Sequence, residues 1–273
     1  MKYFTFTIDD NIRFLKELTE KDYGSIFDHP YMAMLLSLHK TFDAAVQLNL
    51  FYRDGDFTGK DRDKVDLNKY FNLSMMTDRY KAEWKANSDW IKMSFHSDRN
   101  NVRPYLDSAY GEVFEDCRKV QNEIVRFAGE KSLARTTTVH YCACKNDLIS
   151  AVKDCGVIGL LGLYGTDAEP RYSYDCSADA ARKGRRGEIF SENGMFFAGI
   201  DIVLNMFDTE EIMRRLNALQ DRDMIKVMIH EQFFYSDYSR YQPDFRQKID
   251  RTFAFLIQHG YKSAFYEDLI CGT

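Results

Sequence analysis

The chain has 273 residues, and 37 basic against 42 acidic side chains leave a formal charge of −5. Hydrophobic residues make up 45% and charged residues 29%, with only four prolines, which excludes a disordered, collagen-like or linker-dominated chain. The mild acidity and scattered basic residues give no footprint for nucleic acid, and no run of about 18 apolar residues is present to span a membrane. The opening M-K-Y-F-T-F-T-I-D-D meets Asp9 and Asp10 before an apolar stretch long enough for a secretory signal, so a cytoplasmic location is expected. Six irregularly spaced cysteines are too few for a disulfide framework and are expected reduced.

Lys2 to Ile8, β-branched and aromatic, predicts a strand, and Asp10 is placed to cap a helix over Asn11 to Leu18. Pro30 opens a second helix with Met32, Leu35, Leu36 and His39 on one face, and Val46 to Tyr52 reads as the next strand. Residues 53 to 70 are polar and glycine-bearing, hence an exposed loop. Thr77 to Ala86 predicts a helix, and Ile91 to Phe95 a strand ending at His96. From Ala109 to Ala128, Tyr110, Val113, Cys117, Gln121 and Ile124 trace a stripe of helical period that Gly129 ends.

Thr136 to His140 follows as a strand, then a helix over Asn146 to Asp154 and a strand over Val157 to Leu163. Residues 165 to 193 form an excursion whose basic cluster, Lys183 to Arg186, reads as a solvated turn. Met195 to Asp201 is strand, and Asp208 with Glu211 makes a capping-box-like start for a helix to Leu219. Ile225 to Ile229 is strand, ending at His230. A last helix carries Phe245, Ile249, Phe253, Leu256 and Ile257, Gly260 stops it, and Lys262 to Tyr266 closes the series. Alternating strands and helices argue for a parallel sheet with crossover helices. Seven or eight strands in a single domain spanning residues 1–273 favour an irregular (β/α) barrel over an open sheet.

Side chains alternate in a strand, so residues of one parity share a face. Thr5, Thr7 and Asp9 line up, as do Lys92, Ser94 and His96, then Thr136, Thr138 and His140, then Lys226, Met228 and His230. Each polar face ends in an acid or imidazole at the strand's C-terminal tip, and Asp201 sits at a fifth tip. Barrel active sites lie at that rim. Carboxylates and imidazoles together suit a divalent metal such as zinc, whose bound water is acidified enough to attack an amide or ester. The reaction also needs a base and an acid, for which Asp9 or Asp10 and His230 are the candidates. After His230, the stretch E-Q-F-F-Y puts Glu231 and Tyr235 on a rim loop, where two readings stand side by side: contact with a sugar, or packing of the loop itself. His140, Cys142 and Cys144 lack a fourth ligand for a separate zinc site.

T-I-D-D at Thr7 to Asp10, F-H-S-D-R-N at Phe95 to Asn100 and V-M-I-H at Val227 to His230 together resemble the polysaccharide deacetylase (NodB-homology) superfamily. The likeness runs from the first strand to the last, and T-T-T-V-H, D-I-V-L-N and H-E-Q-F-F-Y resemble a bacterial branch of it with a degenerate metal motif. The resemblance implies a distorted, often seven-stranded (β/α) barrel that uses a divalent metal, zinc or similar, to deacetylate an N- or O-acetylated sugar or related small N-acyl compound. It implies Asp9 as general base, His230 as general acid, and Asp10, His96 and residue 100 as metal ligands. Asn100 stands where the superfamily has histidine, and an amide oxygen is a poorer ligand for zinc-like ions, with Asp98 as a substitute. The superfamily's arginine motif after the fourth strand is missing too, which leaves Arg135 to replace it and gives His140 a substrate-binding or orienting role beside Asp201, Glu231 and Tyr235. The competing expectations are a metal-free glycoside hydrolase-like relative acting through Asp9, Asp201 and Glu231, and a non-catalytic carbohydrate-binding relative.

Overall fold

The computed structural model describes residues 1–54, 71–100, 105–142, 144–164, 174 and 177–271. The chain runs β1 (Lys2–Asn11), α1 (Arg13–Glu20), α2 (Pro30–Phe42), β2 (Val46–Phe51), α3 (Lys81–Ala86), β3 (Ile91–Ser97), α4 (Tyr110–Phe127), β4 (Thr136–Thr137), α5 (Asn146–Asp154) and β5 (Gly159–Gly162). It continues through α6 (Ala178–Arg185), β6 (Ile189–Glu192), β7 (Met195–Gly199), β8 (Ile202–Val203), α7 (Thr209–Leu219), β9 (Met224–His230), α8 (Phe245–Gln258), β10 (Tyr261–Ser263) and α9 (Tyr266–Cys271).

One sheet has the order β3-β2-β1-β9-β8, with β10 beside the start of β1, and a second has the order β4-β5-β7-β6. Among the paired strands of the described residues, β6 against β7 is the antiparallel one. The two sheets meet at both margins. Beside β3, Ala134 N donates to Met93 O at 2.8 Å and Leu133 bridges Met93 in parallel. On the other side β7 runs on toward β8, with Ile200 N donating to Gly162 O at 2.8 Å and Asp201 N to Lys226 O at 2.9 Å. The circuit β1, β2, β3, β4, β5, β7 with β8, and β9 therefore returns to β1. This is the irregular (β/α) barrel that the alternation predicts.

β1 is the hub. Phe4 and Phe6 pack outward on Phe253 of α8, each ring 5.0 Å from it between centroids. A parallel strand covered on both faces usually reads as a continuous apolar run, yet the other parity of β1 is Thr5, Thr7 and Asp9, all buried. The polar parity recurs around the barrel: Gln47 Nε2 donates to Thr136 O at 2.8 Å, and Thr136 Oγ1 returns a bond to Gln47 Oε1 at 3.0 Å. The sequence pattern thus marks the barrel interior as polar, and that interior leads up to the strand tips.

Several elements differ from the sequence reading. β4 ends at Thr137, because the chain turns into a short 3-10 segment at His140–Cys142 with Tyr141 and Cys142 at φ 60° and 53°. α3 starts at Lys81 rather than Thr77, β10 stops at Ser263, and α9 follows it. The basic cluster lies largely on α6, where Lys183 and Arg182 pair with Asp179 at 3.1 and 3.2 Å. Residues 55–70, the bulk of the expected loop, and 165–173, within the expected excursion, lie outside the described residues. Among the described residues no helix is long and apolar enough to cross a membrane.

The start of α1 is capped from across the sequence. Asp10 does not cap it; the residue at the N-cap is Ile12, whose side chain has nothing to offer. The buried Glu231 supplies the missing acceptors, taking Ile12 N at 2.8 Å, Arg13 N at 3.2 Å and Phe14 N at 2.8 Å. Tyr235 Oη adds a fourth bond to Glu231 at 2.6 Å. A carboxylate against the exposed N–H groups of a helix start is favoured by both hydrogen bonding and the helix dipole. Burial still pushes the Glu231 carboxyl up to about 7. Glu231→Ala is expected to cost about 3 kcal/mol in denaturant unfolding. Because the folded value lies above the unfolded one, Glu231 binds more protons in the native state, so wild-type stability should fall relative to Glu231→Gln as pH rises from about 4.5 to about 7. A pH-independent difference between the two proteins would refute that ionisation.

Candidate active site and metal centre

Plain alternation would send Asp9 into the barrel and Asp10 out of it. The backbone breaks the alternation: Asp10 takes φ 62°, and the register of β1 against β2 shifts between Ile8 and Asn11. Aspartate is among the few residues that tolerate the left-handed region, at a cost of about 1–3 kcal/mol. The twist brings both carboxylates to one cavity of about 1160 Å³, which His96, His140 and His230 also line. Four of the five predicted tips thus converge there.

Asp10 is the centre of the cluster. Its Oδ1 lies 3.1 Å from His96 Nε2 and 3.3 Å from His140 Nδ1, and the two nitrogens are 3.0 Å apart. Gln232 Nε2 donates to Oδ2 at 2.6 Å, which fixes the carboxylate plane. The remaining imidazole nitrogens are also held: His96 Nδ1 donates to Thr138 O at 2.5 Å, and His140 Nε2 to Asn100 Oδ1 at 3.2 Å. Phe51 packs against both rings, with centroids 5.2 and 4.9 Å away. Among the described residues, Asp10, His96 and His140 form a group able to hold a metal ion. Ligands about 2.1 Å from a tetrahedral ion lie about 3.4 Å from one another, close to these spacings.

Beside this cluster, Asp9 Oδ1 accepts a bond from Asn49 Nδ2 at 2.6 Å. Asp9 pairs with His230 across the β1–β9 ladder, and His230 Nδ1 donates to Asn205 Oδ1 at 2.8 Å. Burial holds the Asp9 carboxyl above its ordinary value, against the opposing pull of His96, His230 and the Asn49 bond. Burial acts the same way on Asp10, but the His140 and His96 imidazoles beside it outweigh burial and leave that carboxyl well below the usual range. Burial pushes His140 down to about 4, whereas for His96 the neighbouring Asp9 and Asp10 overcome burial and raise it. Two imidazoles sharing one carboxylate at 3.0 Å do not both carry a proton charge; of the pair, His96 is the one that can.

Other expected residues are not part of this cluster, although Asn100, Glu231 and Tyr235 line the same cavity. Asn100 lies one layer out, against His140, rather than among the three clustered atoms. Asp98 is paired with Arg53, at 2.9 Å, and the side chain of Arg135 is exposed just before β4, away from the strand tips. Asp201 does not line the cavity: it is buried against Lys226 Nζ at 2.8 Å and Arg222, and it accepts Lys226 N at 2.8 Å. Glu231 forms part of the cavity wall, but its oxygens are committed to the α1 cap. Tyr235 is tied to Glu231, and the Arg13 guanidinium covers its ring at 3.9 Å. Asn49, Gln232 and Asn205 went unassigned from sequence. The strand parity that marks Gln47 and Thr136 also marks Asn49, so that one was legible; Gln232 and Asn205 lie on turns, where parity says nothing.

No protein-family model and no curated protein matches the sequence. Solved structures do. A CE4 family pseudoenzyme from Bacillus anthracis aligns with a TM-score of 0.53 at 11% identity, over 99% of this chain and 66% of that one. The chain thus spans just under two thirds of that structure's length. The Xyl-CE4 domain of a multidomain xylanase from the hindgut metagenome of Trinervitermes trinervoides gives 0.51 at 10% identity, over 99% of this chain and 90% of that one. The chain has the fold of the CE4 carbohydrate esterases, the polysaccharide deacetylase or NodB type. A 4-alpha-glucanotransferase from Thermococcus litoralis also aligns, with a TM-score of 0.58 at 10% identity, over 100% of this chain and 41% of that one. Fold alone therefore does not choose the chemistry, and the side chains must.

The position of Asp201 makes a distinct prediction. Asp201→Ala leaves Lys226 buried without its partner and should cost about 3–5 kcal/mol in denaturant unfolding. Unchanged stability with weakened sugar binding would instead return Asp201 to a substrate role.

Proposed function

We propose that the protein is a metal-dependent hydrolase that removes acetyl groups from an N- or O-acetylated carbohydrate or a related small N-acyl compound. The observation that carries this reading is the convergence of Asp10 Oδ1, His96 Nε2 and His140 Nδ1 within 3.0–3.3 Å, beside Asp9 and His230 in one cavity. One carboxylate and two imidazoles are the donor set of a divalent ion of the zinc type. Each donor also has an outer partner that fixes it, in Gln232, Thr138 and Asn100, as the ligands of such sites usually do.

Asp10, His96 and His140 would hold a divalent ion, which would supply Lewis acidity toward the acyl carbonyl and lower the pKa of a water. Asp9 serves as the base. Its Oδ1 is engaged by Asn49, so Oδ2 takes the proton from the water, and burial suits it to that work by raising its carboxyl. His230 serves as the acid. The acid form is the imidazolium: Asn205 accepts its Nδ1–H, which turns Nε2–H toward the leaving nitrogen or oxygen, and giving up that proton leaves His230 neutral with its hydrogen on Nδ1. Leu163, Val203 and Met228 give the same cavity an apolar wall suited to the acetyl methyl group. A metal-free glycosidase reading has less support, since it needs a second working carboxylate and both Asp201 and Glu231 are consumed by the fold.

The test is acetate release from acetylated chito- and xylo-oligosaccharides by protein supplied with Zn²⁺ or Co²⁺, together with metal analysis. Asp9→Asn and His230→Ala should each lower kcat by about 10²–10⁴ while metal content is kept. His96→Ala should lose the metal itself. Oligosaccharide binding with neither bound metal nor acetate release would instead support a non-catalytic carbohydrate-binding protein.

A further inference from the structure

Position 100 lacks the imidazole that the sequence motif leads one to expect, yet two imidazoles still face Asp10. We infer that the third ligand has moved to the end of β4, so that the site is held by His96 through Nε2 and His140 through Nδ1, with Asn100 as the positioning residue that sets the His140 tautomer. This rests on the metal-dependent reading above and deepens it.

The hydrogen bonds decide which nitrogen is which. A backbone carbonyl only accepts, so His96 Nδ1, 2.5 Å from Thr138 O, carries the hydrogen and leaves Nε2 with its lone pair. An amide oxygen likewise only accepts, so His140 Nε2, 3.2 Å from Asn100 Oδ1, carries the hydrogen and leaves Nδ1 with the lone pair. Those two bare nitrogens and Asp10 Oδ1 then face one another at 3.0, 3.1 and 3.3 Å. Three electron pairs converging in a buried site repel unless a positive charge lies among them, and a proton at His96 or a bound metal cation supplies it. The opposite His140 tautomer would point Nδ1–H at Asp10 and hold a proton there instead. Asn100 is the group that selects between them.

The backbone around each ring fits the assignment. Nδ1 is bonded to Cγ and reaches less far than Nε2, so a ligand using it must be carried close to the ion. His140 is brought there by the early end of β4 and by the left-handed Tyr141 and Cys142, which turn the chain away at once. Phe51 lies nearly perpendicular to the His140 ring, at 83°, and so buttresses it against rotation. Asn100, four residues beyond His96 in sequence, thus still serves the site, one hydrogen bond further out.

The experiment is a titration of ¹⁵N-histidine-labelled protein with Zn²⁺, read by long-range ¹H–¹⁵N correlation spectra. The expected result is metallation of His96 at Nε2 and of His140 at Nδ1, with the hydrogen on the opposite nitrogen of each ring. Calorimetric Zn²⁺ affinity should fall about 10–100-fold in Asn100→Ala, while Asn100→Asp, which keeps an oxygen at that place, retains at least wild-type affinity. Metallation of His96 without any response at His140 overturns this inference and leaves the metal-dependent reading standing. No response at either ring removes both. Unchanged affinity in Asn100→Ala overturns the role given to Asn100 alone.

Discussion

The whole site turns on the carboxylate of Asp10. It accepts from Gln232 on one oxygen and meets both imidazoles with the other, and only its left-handed backbone brings it to the same mouth as Asp9. A regular strand would separate two adjacent side chains onto opposite faces. By straining one residue, the fold places two carboxylates on consecutive positions at one cavity. Local strain of this kind persists where surrounding structure over-determines it, and here β2, β9, His96 and His140 all constrain the same short stretch.

Such a cluster is costly to bury, and the rest of the barrel is arranged to bear it. Charges leave water only when hydrogen-bonded or paired. Gln47, Asn49, Ser94 and Thr136 form a neutral network under Asp9, with Ser94 Oγ donating to Asn49 Oδ1 at 2.7 Å and Gln47 Nε2 to the same oxygen at 2.8 Å. With its oxygen so occupied, Asn49 can present only its amide hydrogens to Asp9. Outside the barrel, apolar packing such as that of Phe4 and Phe6 on Phe253 supplies the compensating stability.

The relatives in structure show why the side chains have to carry the functional argument. Among proteins with a comparable backbone are a pseudoenzyme and a glucanotransferase. The barrel offers converging strand tips to any chemistry. At those tips this chain carries two adjacent aspartates, Asp9 and Asp10, and three histidines, His96, His140 and His230.

The barrel, its polar interior and four of the five expected strand tips at the cavity followed from the chain alone, because a two-residue period is local and survives without knowledge of the partner strands. The Asp9, His96, His140 and His230 faces were legible for that reason. Whatever depends on residues far apart in the chain came instead from contacts between elements. Glu231, read as a sugar contact, is the cap of a helix more than 200 positions earlier; Asp201, read as a fifth tip, neutralises a buried lysine on the next strand. The twist at Asp10 and the meeting of His140 with Asn100 were equally invisible, since no pattern along one strand encodes a backbone reversal or the identity of the ring's neighbour.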